Sequence, residues 1–499
     1  MNLAGLLRHA ATCFPERPAV TWRDTTIDYA ELERRAATMD GWLRSVGAGR
    51  DTRVALFMDN RLEYLVAMFA TWRSGATVVP CNARLTTDEL AFLVGDAGAT
   101  VVLTDDAHEQ TARAAAGASG NAATVGVVGV DRLEGSPPPD EADVDPSDVA
   151  WIFYTSGTTG HPKGAMLSHA VLHFVTVSWL ADLTPLDETD VTLHAAPLSH
   201  GAGFHAIAAT ARAAHQVITP TPSFDPAGVL ALVDEHGVTN TWMVPTQIVM
   251  LTDAAPDDVV LPTLEYVVYG GAPMTPAATQ RALDRFGSVF VQLYGQGETP
   301  MTATVLRRQD HRPDALGSAG RARPGVDVRI MNENGELAPP DTVGEVVVRG
   351  PSVMSGYWNR PEASAETLRN GWLHTGDLGR ITDDGLLHLL DRTKDMIISG
   401  GSNVYAVEVE QVLSAHPDVA DVAVVGVPDD LWGELVVAVV VPAAGDGSPL
   451  DTAALEAHCR VALAGYKIPR RWEQVETLPR NAYGKVLKRE LRGELSTNA

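Results

Sequence analysis

This chain has little cysteine, a deficit of positive charge and no long apolar run, and each shortage excludes something. Cys13, Cys81 and Cys459 are its three cysteines in 499 residues. They lie far apart and show no metal-ligand spacing, so neither a disulfide framework nor a zinc site is expected. They read as small apolar fillers in a reducing compartment, the cytoplasm. Lys and Arg total 38 against 63 Asp and Glu, a formal net charge of −25. Such a balance argues against nucleic acid or an anionic membrane as partner. No apolar run reaches the roughly 18 residues that a membrane-spanning helix needs. The opening Met1-Asn2-Leu3-Ala4-Gly5 lacks the basic stretch and apolar core of a signal peptide. Internal repeats and long low-complexity tracts are missing, and so is a convincing catalytic triad.

What is present is ordinary globular composition, 45% hydrophobic and 20% charged, at a length that suggests two or more domains. Helical periodicity over 29–46, 62–75 and 88–97 alternates with apolar strand patterns at 54–58, 77–80 and 100–103. That alternation predicts an α/β fold with parallel sheets covered by helices. The pattern continues over 191–305, with strands near 217–218, 241–244 and 266–269. Residues 108–147, rich in Ala, Gly, Asp and Pro, read as variable surface. From Val326 the texture changes to short strands between Gly, Asn and Asp, which predicts a β-barrel-like subdomain over about 326–391. A second α/β pattern follows, with helices at 406–415 and 452–463 and strands at 419–427 and 435–441. The expected division is a large domain over 1–391 and a small α+β domain over 392–499.

The strongest local signal is Tyr154-Thr155-Ser156-Gly157-Thr158-Thr159-Gly160-His161-Pro162-Lys163-Gly164, directly after the apolar strand pattern Val149 to Phe153. Glycines let backbone N–H groups turn toward an anion, and hydroxyls and an ammonium add donors. The physical reading is a loop that wraps phosphates. It is not a P-loop, because Lys163 lies between Pro162 and Gly164 and no Ser or Thr follows it. In such an acidic protein Lys163, Arg392 and Lys485 are candidates for a local positive site.

The loop resembles the phosphate-binding signature of adenylate-forming enzymes, the superfamily of acyl-CoA synthetases, peptide-synthetase adenylation domains and luciferases. Other strings resemble its motifs in order. These include Phe14 to Val20, Val79-Pro80 with Asn82 and Arg84, and Pro197-Leu198-Ser199-His200-Gly201. Gly270-Gly271-Ala272-Pro273, Tyr294-Gly295-Gln296-Gly297-Glu298 and Trp372 to Asp377 come next. Asp391-Arg392-Thr393-Lys394-Asp395, Ser399-Gly400-Gly401 and Pro479 to Lys485 complete the series.

The resemblance implies roles. Ser156, Gly157, Thr158, Thr159, Gly160 and Lys163 would hold ATP phosphates. Gly271, Ala272, Pro273, Tyr294 and Gly295 would pack against adenine, and Asp377 and Arg392 would meet ribose or phosphate. Glu298 would hold Mg²⁺, which favours hard oxygen ligands. Lys485 would bring carboxylate and α-phosphate together electrostatically, and Thr155 is grouped with Glu298 and Lys485 as catalytic. A carboxylic acid with a pKa near 4 is already ionised at pH 7, so no general base is required. His200, Gly201, Gly203, Phe204, Tyr269, Gly295, Pro300 and Met301 would form the acyl pocket, and Lys394 the hinge for the C-terminal domain.

One departure stands out. The family usually carries Thr immediately before the glutamate, where Gly297 stands here, and Thr299 or Thr302 could replace the lost donor. Gly295 occupies the place of a Trp in acetate-specific relatives. With Gly201, Gly203 and Gly271 also small, a roomy pocket is expected, for a medium-chain, aromatic or otherwise bulky acid. The absence of a carrier-protein domain points to coenzyme A as acceptor. Gly400, Gly401, Trp432 and Tyr466 are possible CoA contacts, although the two aromatics could equally be core. An amine acceptor (an amide bond synthetase), a luciferase-type oxygenase and a non-catalytic ligand-binding homologue are the alternatives. A monomer or homodimer is expected.

Overall fold

The computed structural model describes all residues except 130–132, 134, 137–139, 156–161, 393–394, 400–401, 430–431, 444–448, 481–485 and 498–499. The fold is mixed α/β, with a large N-terminal domain of helix-covered sheets and a small C-terminal domain. Two large sheets form the first part. In the six-stranded sheet the strands Thr124–Val127, Val101–Thr104, Arg53–Phe57, Thr77–Cys81 and Val149–Thr155 run parallel, and Lys163–Ser168 closes the edge antiparallel. The nine-stranded sheet has a parallel centre from Pro18–Trp22 through Phe290–Gln296 and antiparallel strands at both margins. The parallel expectation holds for the interior of both sheets, while hairpins supply the edges.

Burial explains the layers. The helix Leu62–Ser74 is apolar on nearly every face and buried almost throughout, as a helix packed on all sides must be. It ends at Gly75, whose φ of +84° suits a left-handed C-cap. Trp72, Trp151 and Trp179 lie fully buried in one continuous core with helices His169–Asp182 and Gly201–Ala211. The helix His169–Asp182 starts at Ser168, whose hydroxyl accepts from the Val171 N–H.

Residues 327–392 form an antiparallel five-stranded sheet, where the β-barrel-like part was expected. A further five-stranded sheet, from Ile397–Ser399 to Arg471–Gln474, has its own two apolar clusters.

Two expectations need correction. Residues 108–147 contain the helix Glu109–Ala118 and the strand Thr124–Val127. The alanines there form the buried stripe Ala112, Ala115 and Ala116 at helical spacing. Cys13 is exposed, so only Cys81 and Cys459 are buried fillers.

Candidate active site

The phosphate-loop motif is the connection of a β-hairpin. Thr155, at the end of Val149–Thr155, pairs with Lys163 at the start of Lys163–Ser168. The connecting residues Ser156, Gly157, Thr158, Thr159 and Gly160 lie outside the described residues. A second hairpin faces the first. Gln296 pairs with Thr299, so Gly297-Glu298 is its two-residue turn.

The two hairpins meet at Glu298, which is buried. Its Oε1 accepts the Tyr357 hydroxyl at 2.6 Å and the Thr155 hydroxyl at 3.3 Å. The Lys163 ammonium lies 4.9 Å from the centroid of the Tyr357 ring, a cation–π distance. A hard carboxylate with two hydroxyl donors on one oxygen fits Mg²⁺, which often takes one protein carboxylate plus substrate phosphates.

Gly297 is needed here because of space. A Cβ at this position would lie 2.4 Å from Thr155 Cγ2 and 2.7 Å from Phe153 Cδ1. The threonine usual in the family cannot enter without displacing one of these groups. Thr299 and Thr302 do not supply the missing donor at the surface. Both are fully buried, and the Thr299 hydroxyl lies 2.9 Å from that of Ser352.

A third group assembles beside this turn. Asp377 Oδ2 accepts the Tyr294 hydroxyl at 2.7 Å and the Gln296 amide at 2.6 Å. Gln296 also donates to the Thr375 carbonyl at 3.0 Å. In strand register Asp377 pairs with Arg392, whose side chain lies outside the described set. Gly271, with φ +82°, and the exposed Ala272 and Pro273 form an open turn past the strand Tyr266–Tyr269.

Residues 7–358 match the family described as AMP-binding enzyme, and residues 408–485 match the AMP-binding enzyme C-terminal domain. The chain belongs to the AMP-binding enzyme family. A feruloyl-CoA synthase from Amycolatopsis sp is 42% identical over 480 residues, 96% of each chain. Among solved structures, ATP-bound MatB from Rhodopseudomonas palustris has a TM-score of 0.91 at 32% identity, over 99% of both chains. The amide bond synthetase McbA from Marinactinospora thermotolerans also gives 0.91, at 31% identity over 99% of both chains. Adenylate-forming ligase chemistry follows from this membership.

In this AMP-binding enzyme the expected acyl pocket divides. His200 is half-buried, with Nδ1 3.0 Å from the Ser199 hydroxyl and its ring edge-on to Phe153 at 5.3 Å. Burial pushes its pKa down to about 3, so the ring is neutral at pH 7. Phe204 stacks on Trp151 at 5.1 Å. Pro300 and Met301 are buried. Met301 has a φ of +58°, and its carbonyl accepts from Arg323 Nη1 at 2.6 Å.

Tyr269 does not belong with them. It points to the opposite face of its strand, packs edge-on with Phe290 and lies 3.3 Å from His311 Nε2. Strand alternation is the reason, since Val268 takes the other face, in the core that holds Trp242.

The glycines do not leave the expected room either. A Cβ on Gly201 would lie 2.5 Å from the Trp242 indole, and one on Gly203 would lie 2.2 Å from the Leu198 carbonyl oxygen. One on Gly295 would lie 2.5 Å from the Met301 nitrogen. Only Gly271 of the four opens onto free space.

In the C-terminal domain Ser399 ends the strand Ile397–Ser399 and is buried. Trp432 is covered by the Arg470 guanidinium at 3.9 Å, and Tyr466 is partly exposed. Lys394, Gly400, Gly401 and Lys485 lie outside the described residues.

Sequence reasoning missed Tyr357, Gln296 and Trp242. Gln296 sat inside a quoted motif, and the aromatic pair Tyr357-Trp358 after Gly356 was a usable signal. Trp242 gave none, because only tertiary packing brings it over Gly201.

Proposed function

We propose that this enzyme activates an aromatic or otherwise bulky carboxylic acid as its acyl adenylate, with release of pyrophosphate, and then passes the acyl group to coenzyme A. One observation carries the reading. Three sequence-distant motifs, holding Thr155, Tyr294 with Glu298, and Asp377, converge on adjoining hydrogen-bonded groups. The similarity to a feruloyl-CoA synthase supports an aromatic acid and CoA. Apolar and aromatic walls, not empty glycine positions, favour a bulky acid.

In this reading Lys163, with the hydroxyls and glycines of 156–160, holds the β- and γ-phosphates. Glu298 holds Mg²⁺, which when bound offsets phosphate charge. Asp377, braced by Tyr294 and Gln296, meets the ribose hydroxyls, and Arg392 follows in register. Neutral His200 lines the acid site without adding charge, beside Phe204 and Met301. Lys485 draws the carboxylate and α-phosphate together, work that is mainly positional and electrostatic. The division at 391/392 with Lys394 as pivot lets the small domain rotate after adenylation, so that the acceptor can take the acyl group. Trp432 and Tyr466 are the candidate contacts for CoA.

The likeness to the amide bond synthetase supports a second reading, in which an amine takes the acyl group. Hydroxylamine trapping against a panel of aromatic and aliphatic acids tests the first half-reaction. Repeating it with CoA and with amines, read by mass spectrometry, separates the acceptors. Acetate as the best acid would sink the substrate assignment, and amide without thioester would sink the CoA assignment.

A further inference from the structure

The phosphate-loop hairpin and the Glu298 hairpin belong to different sheets, so their register depends on what joins them. The segment Met354 to Trp358 does this. The Met354 N–H donates to the Glu298 carbonyl at 2.8 Å. The Ser355 N–H donates to the Met166 carbonyl at 3.0 Å, and the Met166 N–H returns to the Gly356 carbonyl at 2.9 Å. The Trp358 N–H donates to the Gly164 carbonyl at 2.8 Å, and Ala165 bridges Tyr357 in antiparallel register. The segment is therefore splinted along Lys163–Ser168 and tied by its start to the Glu298 turn.

Tyr357 stands between the two charged groups that this splint aligns. Its buried hydroxyl donates to Glu298 Oε1, while its ring lies against the Lys163 ammonium. Among the described residues no ion pair joins Lys163 to Glu298. A direct pair would occupy both groups with each other. A neutral phenol orients the carboxylate through one oxygen and gives the ammonium an aromatic face to rest on.

We propose that Tyr357 is a positioning residue that turns the Glu298 carboxylate toward the divalent cation and keeps it from pairing with Lys163. The proposal rests on the reading of Glu298 as the metal carboxylate. Partners that orient a metal ligand typically change metal affinity by about 10–100-fold when removed.

The test measures Mn²⁺ binding by electron paramagnetic resonance, on the full chain with a non-hydrolysable ATP analogue. Tyr357→Phe should weaken Mn²⁺ affinity by about 10–100-fold, with the melting transition near that of the parent. Glu298→Gln is the control and should lose the site. Parent-like Mn²⁺ affinity in Y357F, with affinity lost in E298Q, overturns the role of Tyr357 and leaves Glu298 in place. Parent-like affinity in both overturns the reading of Glu298 and the inference with it. Tyr357→3-fluorotyrosine keeps the ring and changes the acidity of the hydroxyl. Mn²⁺ affinity should move with that change, and an unmoved affinity counts against the proposal.

Discussion

The turn around Glu298 and the packed cluster around His200 belong to the same large domain, yet they are built in opposite ways. The first is a polar junction, where Thr155 and Tyr357 donate to Glu298, and Tyr294 and Gln296 donate to Asp377, across three sheets. The second is an apolar packing problem, where Trp242, Trp151 and Met301 crowd against glycines. Its histidines are neutral through burial. His194 is pushed down to about 4 and His200 to about 3, and His205 lies well below its ordinary value. Polar chemistry is thus set by which residues are present, and packing by what reaches them from elsewhere.

Each side of this contrast can be attacked by experiment. Trp242→Ala addresses the packed side. Removing a large buried aromatic should cost about 3–5 kcal/mol of stability in denaturant unfolding. It should also shift acid preference toward bulkier substrates in the adenylation panel. An unchanged preference would mean that Trp242 does not border the acid.

Lys485→Ala addresses the polar side. Loss of one preorganised electrostatic group should lower acid-dependent pyrophosphate release by about 10²–10³-fold, or about 2.7–4 kcal/mol. The unfolding midpoint should hardly move. Equal pyrophosphate release by parent and variant would show that this lysine is misassigned.

Gly297→Thr joins the two sides, since it restores the family's usual residue where Thr155 and Phe153 leave no space. Overpacking should destabilise by about 1–3 kcal/mol, and adenylation should fall instead of improving. A gain in activity would mean that the hairpins part readily and that the hydroxyl was simply missing.

The last effect concerns pH. His194 has a folded pKa of about 4, against about 6.5 when unfolded. Its folded pKa is depressed, so the unfolded chain binds more protons between these values and stability falls as pH drops through that window. Melting curves from pH 7 to 4 should show this decline, with a shallower slope in His194→Gln. Identical slopes would remove His194 from the acid response.

Much of the polar side is legible in the sequence. Glu298, Asp377 and the loop from Thr155 to Lys163 lie in short strings whose residue types suit the chemistry proposed for them, and the hairpin ends at Thr155 and Lys163 follow from local pattern. The α/β alternation is legible for the same reason, because helix and strand periodicity are local. Tyr357 is not, since its contacts to Glu298 and Lys163 join residues far apart in the chain. Tyr269 is misplaced by its motif, which gives the strand end but not which face each residue takes. Gly201, Gly203 and Gly295 are misread as empty space for a similar reason. A glycine can equally be small so that another group can come close.

Side-chain type and local spacing are enough to propose the chemistry, namely a phosphate loop and a hard carboxylate for a cation in a strongly acidic chain without disulfide framework. Three further properties come only from the folded arrangement. Gly297 leaves no room for a threonine, Trp242 fills the space beside Gly201, and Tyr357 stands between Lys163 and Glu298. Each is a contact between distant segments, and the free energy of such contacts lies in packing and desolvation that no local pattern encodes.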